Sequence, residues 1–233
     1  MSRRIIVWRH GQTDWNVAGR LQGQTDTPLN AAGRAQAAEM AARLAVLGPV
    51  RIVSSDLQRA SATAAALGRI VDLPVETDER LREVAFGERE GMTRHEIARR
   101  YPEAEGRFRR GEEIVSPGGE THAEAAVRFS RALEEIVEAM GEDETVVVVA
   151  HGAVIRVGIC AFIGLPEEYW RSFGGFSNGC WAVLQEGFAR WQVTEWNAGN
   201  LPVPEMSDDA AHTEDRGPLR QGDPDFGPTG ATR

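Results

Sequence analysis

The sequence predicts an α/β fold with parallel strands at its centre. Two stretches carry that reading. Ile5-Ile6-Val7-Trp8 and Val146-Val147-Val148-Val149-Ala150 are apolar without interruption, the pattern of a strand buried on both faces. The third observation is how they stop. The first runs into Arg9-His10-Gly11 and the second into His151-Gly152. Ligands of open α/β sheets bind outside the carboxyl ends of the strands. Arg9, His10 and His151 are therefore expected at the mouth of one site, with glycines that let a ligand approach the backbone closely.

The rest of the chain supplies the helices and edge strands. After the first strand, residues 12–29 are rich in Gly, Asn, Gln and Thr and lack periodicity. Long irregular loops in compact domains are often functional, so Asn16 and Gln22 are candidate ligand donors. Asn30 caps a predicted helix from Ala31 to Leu47, with Ala37, Met40, Ala41, Leu44 and Leu47 as its apolar face and Gly48 at its end. A short strand follows over 50–53. Ser55 and Gln58 fit a capping box that opens the next helix. Arg59 then falls in the first helical turn, where a cation opposes the helix dipole. That placement suggests that Arg59 meets an anion.

Leu73 to Glu76 reads as a short strand. Residues 78–92 are irregular and dense in charge. A carboxylic acid sheltered there by Leu81, Val84 and Phe86 could serve as a proton donor, and Glu79, Glu83, Glu88 and Glu90 all qualify. Thr93 with Glu96 opens a short helix that ends before Pro102, followed by a mobile Arg/Glu/Gly stretch to Pro117. Thr121 with Glu124 opens a long helix with Phe129, Leu133, Ile136 and Met140 on one face. After the second buried strand, Ala153 to Ile163 reads as an apolar helix, and residues 179–184 and 189–196 as a hairpin. From Gly199 to Arg233 the chain is rich in Pro, Gly and Asp, the composition of a disordered tail. One domain over 1–198 is expected. His95, His122 and His212 fall on predicted helix starts or in the tail and receive no role.

Composition narrows the function. The 233 residues, 42% hydrophobic, suffice for one sizeable core. A net charge of −9 argues against a nucleic-acid surface. There is no apolar run long enough to span a membrane. The chain enters its first strand at once, leaving no room for a signal peptide, which points to the cytoplasm. Cys160 and Cys180 read as buried apolar residues. The chain contains no lysine, so all 26 basic residues are arginine. A P-loop kinase and a Schiff-base enzyme are thereby excluded. Any anion site must use Arg, His and backbone N–H groups, and arginine grips phosphate as a planar fork.

No HExxH, DxD or cysteine cluster is present, so no metal and no cofactor is expected. A pocket with Arg9, Arg59, His10, His151 and one acid suits a doubly charged phosphomonoester. At ~4 Å and an effective dielectric near 20, each cation contributes on the order of 4 kcal/mol of attraction before desolvation. Neutral imidazole is a competent nucleophile toward phosphorus. The chemistry expected is attack by His10, charge stabilisation by Arg9, Arg59 and His151, and proton transfer by a glutamic acid.

Arg9-His10-Gly11, Asn16, Gly23, Leu29, Gly33, Ser54-Ser55, Leu57, Arg59-Ala60, Glu83, Gly118-Gly119-Glu120 and His151-Gly152 together resemble the histidine phosphatase superfamily, the phosphoglycerate mutase-like group, over about residues 5 to 197. The resemblance implies a three-layer α/β/α sandwich with a mostly parallel sheet. It implies His10 as the phosphorylated nucleophile and Glu83 as the proton donor. Arg9, Asn16, Arg59 and His151 become phosphate ligands, with Gln22, Gly23 and Gly152 at the substrate. A homodimer acting on a small phosphorylated metabolite is implied as well. A narrower likeness, through Gln12-Thr13-Asp14-Trp15-Asn16, Leu21-Gln22-Gly23-Gln24, residues 174–181 and Trp196-Asn197-Ala198, is to glucosyl-3-phosphoglycerate phosphatases. Arg89 departs from the family pattern, which places an aromatic residue there. The alternatives are a broad-specificity histidine acid phosphatase and a cofactor-dependent phosphoglycerate mutase. The short segment between Glu83 and His151, and Gln12-Thr13 in place of Glu-Ser, favour a hydrolase.

Overall fold

The computed structural model describes residues 2–110 and 112–199, so the expected tail from 200 onward lies outside the described residues. A six-stranded sheet forms the middle layer. Its strands are β1 (Arg4–Arg9), β2 (Arg51–Ser54), β3 (Val75–Thr77), β4 (Thr145–Ala150), β5 (Trp181–Glu186) and β6 (Trp191–Ala198), in the spatial order β3-β2-β4-β1-β5-β6. The first four strands in that order are parallel, whereas β5 and β6 add an antiparallel hairpin at one edge. The sheet is thus mostly parallel, as expected.

Strand periodicity explains why β1 and β4 are apolar throughout. Successive side chains point to opposite faces. Ile5, Val7, Val146 and Val148 pack into one core with α6 (His122–Glu138) and α7 (Gly152–Phe162), through residues such as Phe129, Leu133, Val154 and Ile155. Ile6, Trp8, Val147 and Val149 pack into a second core with α2 (Ala31–Ala45) and α3 (Gln58–Val71), through Met40, Leu44, Ala64 and Leu67. Each fully buried aliphatic side chain contributes roughly 1.5–3 kcal/mol. The result is the three-layer sandwich. β1 and β4 are neighbours in register, with Val7 opposite Val148 and Arg9 opposite Ala150. Their carboxyl ends, and the residues that follow, therefore emerge side by side.

Local signals succeed at most helix starts. Asn30 accepts a hydrogen bond from Gly33 N at 2.8 Å, and both Thr93–Glu96 and Thr121–Glu124 form complete capping boxes. The irregular loop after β1 holds one short helix, α1 (Asp14–Val17), capped by Thr13. Two expectations fail. Ser55 does not form the predicted capping box with Gln58: the N-cap of α3 is Leu57, and the Ser55 hydroxyl accepts from Leu57 N at 3.3 Å and meets His151 Nε2 at 2.9 Å. Beyond α4 (Arg94–Arg100), the stretch read as mobile contains α5 (Pro102–Arg109), with proline at its first position, where its missing N–H is not needed.

Two glycines fix how α2 meets the end of β1. A side chain on Gly33 would place its Cβ 2.0 Å from the backbone oxygen of Gln12, and one on Gly11 would lie 2.3 Å from the oxygen of Gly33. Backbone passes backbone here with no room for a methyl group. Gly33→Ala is expected to lower the free energy of unfolding by about 2 kcal/mol, the usual scale of overpacking, read from urea unfolding midpoints.

Candidate active site

His10 follows β1, and His151 follows β4 as the N-cap of α7. Their rings lie 5.1 Å apart between centroids, tilted by 58°. Both are buried. The two widely separated histidines do meet. His10 Nδ1 lies 2.7 Å from the carbonyl oxygen of Gly11. A carbonyl only accepts, so Nδ1 carries the proton and Nε2 keeps its lone pair. Arg59 Nε donates to His151 Nδ1 at 3.2 Å, which places the single N–H of that ring on Nε2, 2.9 Å from Ser55 Oγ. Burial, reinforced by Arg59 and Arg9, holds the His10 imidazole well below its usual range. Burial, with Arg59, His10 and Arg9, does the same to His151. Both rings are therefore neutral at pH 7.

The two guanidiniums are buried against them, with Arg9 1% and Arg59 0% exposed. Arg9 donates through one terminal nitrogen to the carbonyl of Phe176. Arg59, the second residue of α3, donates to Thr25 O at 2.8 Å and Gly23 O at 2.6 Å. Gly23 thus acts on Arg59 through its carbonyl. Gly152 provides room: a Cβ there would lie 3.2 Å from the Arg9 guanidinium.

Gln22 and Asn16 join the same loop network. Gln22 Oε1 accepts from Thr13 Oγ1 at 2.9 Å and Thr27 Oγ1 at 2.6 Å, while Asn16 Oδ1 accepts from Thr13 N at 3.0 Å. Among the described residues, Arg9 Nε, Asn16 Nδ2 and Gln22 Nε2 are buried donors without a protein hydrogen-bond partner. Buried polar groups are nearly always paired. Two amide donors and Arg9 Nε, with Arg59 close by, form a cluster of N–H groups and positive charge suited to an anion.

Among the four glutamates left open by the sequence, Glu83 is the one brought to this cluster. It is 4% exposed, and its carboxylate accepts from Val84 N at 2.9 Å, Val154 N at 2.8 Å and Ala153 N at 3.1 Å, the last two at the start of α7. Leu81, Val84 and Phe86 are buried nearby in the chain, and the carboxylate's own partners are backbone N–H groups. Glu90 is a clamp between loops: it accepts from Gln24 N, Thr25 N, Thr25 Oγ1 and Phe86 N. Glu79 meets Arg82 at 3.5 Å, and Glu88 meets Tyr101 at 3.2 Å, both away from the histidines. Arg89 turns toward the 114–116 segment, donating to Ile114 O at 2.5 Å and Ser116 Oγ at 3.3 Å.

Several contributors escaped the sequence reading. Arg128 of α6 donates to the carbonyls of Arg80, Arg82 and Glu83 and pairs with Glu120 at 2.6 Å, fixing the turn that carries Glu83. Its only sequence signal is a cation on a strongly amphipathic helix. Ser55 was noticed for the wrong task. Cys160 and Cys180 are buried, as expected, and burial pushes the Cys160 thiol up to about 11. Among the described residues no three His, Cys, Asp or Glu side chains gather as a metal site. None of the described helices is long and apolar enough to cross a membrane.

Residues 5–199 match the family model of the histidine phosphatase superfamily, branch 1. The chain belongs to the histidine phosphatase superfamily. Its relatives include proteins named as phosphatases and others named as probable phosphoglycerate mutases. A glucosyl-3-phosphoglycerate phosphatase of Mycolicibacterium vanbaalenii is 40% identical over 213 residues, covering 84% of this chain and 95% of that one. Its Mycobacterium tuberculosis counterpart is 38% identical with the same coverage. A metal-independent phosphoserine phosphatase of Arabidopsis thaliana is 34% identical over 83% of this chain and 80% of its own. Among solved structures, a mycobacterial glucosyl-3-phosphoglycerate phosphatase in complex with VO3 superposes with a TM-score of 0.79 at 40% identity, covering 85% of this chain and all of that one. This histidine phosphatase thus has the fold, and the phosphatase class, that its residues implied.

The neutral imidazoles set a pH dependence of stability. Between the ordinary histidine value near 6.5 and the lower folded values, the unfolded chain binds more protons than the native one, so stability falls as pH drops below about 6.5. Each imidazole contributes a slope of up to about 1.4 kcal/mol per pH unit in that window. Urea midpoints measured from pH 7.5 to 5.0 should decline, and should decline less steeply in His151→Asn.

Proposed function

We propose that His10, Glu83, Arg9, Arg59 and His151 are the catalytic residues of this phosphatase, with Asn16, Gln22, Gly23 and Gly152 completing the phosphate and substrate site. The observation that carries the reading is the fixed tautomer of His10. With Nδ1–H held by the Gly11 carbonyl, Nε2 presents a lone pair at the end of a rigid strand. His10 Nε2 attacks phosphorus, the P–O ester bond breaks, and the leaving alkoxide takes a proton from the acid form of Glu83. Arg9, Arg59, Asn16 and Gln22 donate to the equatorial oxygens, where charge spreads in the transition state. Water then attacks the phosphohistidine and gives its proton to Glu83. The P–N bond breaks, releasing inorganic phosphate and neutral His10. No step calls for a metal or a cofactor.

The substrate in this reading is glucosyl-3-phosphoglycerate or a related small phosphorylated metabolite. The support is the pair of mycobacterial relatives that bear that substrate's name and align over 95% of their length. The protein is taken to work in the cytoplasm as a homodimer.

Two measurements test this reading. His10→Ala should lower kcat/KM for p-nitrophenyl phosphate by about a thousandfold or more, as removal of a nucleophile does, while vanadate still binds. Retained turnover would remove His10 from its role. Across a panel of phosphomonoesters, kcat/KM should be highest for glucosyl-3-phosphoglycerate, by roughly tenfold or more over 3-phosphoglycerate. A flat panel would return the enzyme to the broad-specificity class, and interconversion of phosphoglycerates without phosphate release would make it a mutase.

A further inference from the structure

Asn178 precedes β5, is 3% exposed, and has no part in the chemistry above. Its Nδ2 donates to His10 O at 3.1 Å and to Asn16 Oδ1 at 3.2 Å. The next residue adds a second bond to the same carbonyl, Gly179 N to His10 O at 3.2 Å. A segment 168 residues downstream thus grips the main chain of His10 and the side chain of Asn16 together.

The orientation of the Asn16 amide follows from these contacts. Its oxygen faces Thr13 N at 3.0 Å, and a backbone N–H can only donate. On its other side it faces the Asn178 amide nitrogen, which must itself be a donor because its second partner is the carbonyl of His10. Turning Asn16 over would set its NH2 against two donors. With the oxygen held, Asn16 Nδ2 is left buried and without a protein partner, one of the three donors of the anion site.

We propose that Asn178 is a positioning residue of this phosphatase. It acts through Asn16, whose oxygen it holds so that the N–H groups face the phosphoryl oxygens, while its bond to the His10 carbonyl fixes its own orientation. The proposal rests on the assignment of the anion site given above and goes beyond it by naming what sets the direction of a donor.

The test is a double-mutant cycle on the full-length enzyme, with p-nitrophenyl phosphate turnover and vanadate inhibition as readouts. Asn178→Ala should weaken vanadate inhibition about tenfold or more and lower kcat/KM at least as far, the scale of one misdirected buried donor. In an Asn16→Ala background the same change should cost less than about threefold in vanadate affinity, because a residue acting through Asn16 has nothing left to orient. Vanadate inhibition within about threefold of wild type in Asn178→Ala, or equal losses in both backgrounds, would overturn the proposal. Thermal unfolding checks that the variants fold. If the alanine variant does not, Asn178→Ser, too short to span both acceptors, carries the same two comparisons. Turnover by wild type that survives His10→Ala would instead count against the site assignment itself, which keeps the two failures distinct.

Discussion

Two guanidinium groups are buried at one end of a sheet, and much of the site can be read as the accommodation of that charge. Taking a cation out of water is costly unless hydrogen bonds and an opposite charge compensate it. Arg9 and Arg59 meet the first condition through carbonyls: Phe176 for Arg9, Gly23 and Thr25 for Arg59. The same positive field, added to burial, keeps His10 and His151 neutral. An incoming dianion would supply the opposite charge. In the proposed mechanism the neutral state of His10 and the attraction for phosphate share one electrostatic origin.

Holding such groups together takes rigidity from several segments. β1 and β4 lie in register and deliver the two imidazoles side by side. The loop after β1 brings Asn16, Gln22 and Gly23, and Glu90 ties that loop to the segment carrying Glu83 through backbone donors on both. Arg128 pins the other side of the Glu83 turn from α6. Ser55 faces His151 from the end of β2. Donors fixed before substrate arrives need no reorganisation as charge develops in the transition state, which is where electrostatic catalysis gains most. The clamps lie outside the chemistry yet set its geometry.

The glycines show how narrow the tolerances are. Gly11 and Gly33 let the turn after β1 press on the first turn of α2, and Gly152 lets the Arg9 guanidinium lie against the start of α7. None of these positions carries a reactive group. Each removes a Cβ that would push a reactive group out of place.

By itself the sequence determined the central strands, most of the helix starts and the residues most suited to phosphate chemistry. Uninterrupted apolar runs mark strands with two buried faces, capping boxes satisfy a helix end within four residues, and an arginine placed against the helix dipole at position 59 signals an unusual demand. These are local requirements, and local sequence expresses them. Tertiary structure alone decided the rest. Which of Glu79, Glu83, Glu88 and Glu90 reaches the histidines depends on where one irregular segment meets the start of α7. That Ser55 meets an imidazole, that Arg128 holds a distant turn, and that Asn178 reaches His10 and Asn16 depend on segments far apart in the chain. A hydrogen bond between remote segments leaves no periodic or spacing signal, because its partner is chosen by the packing of the whole sheet.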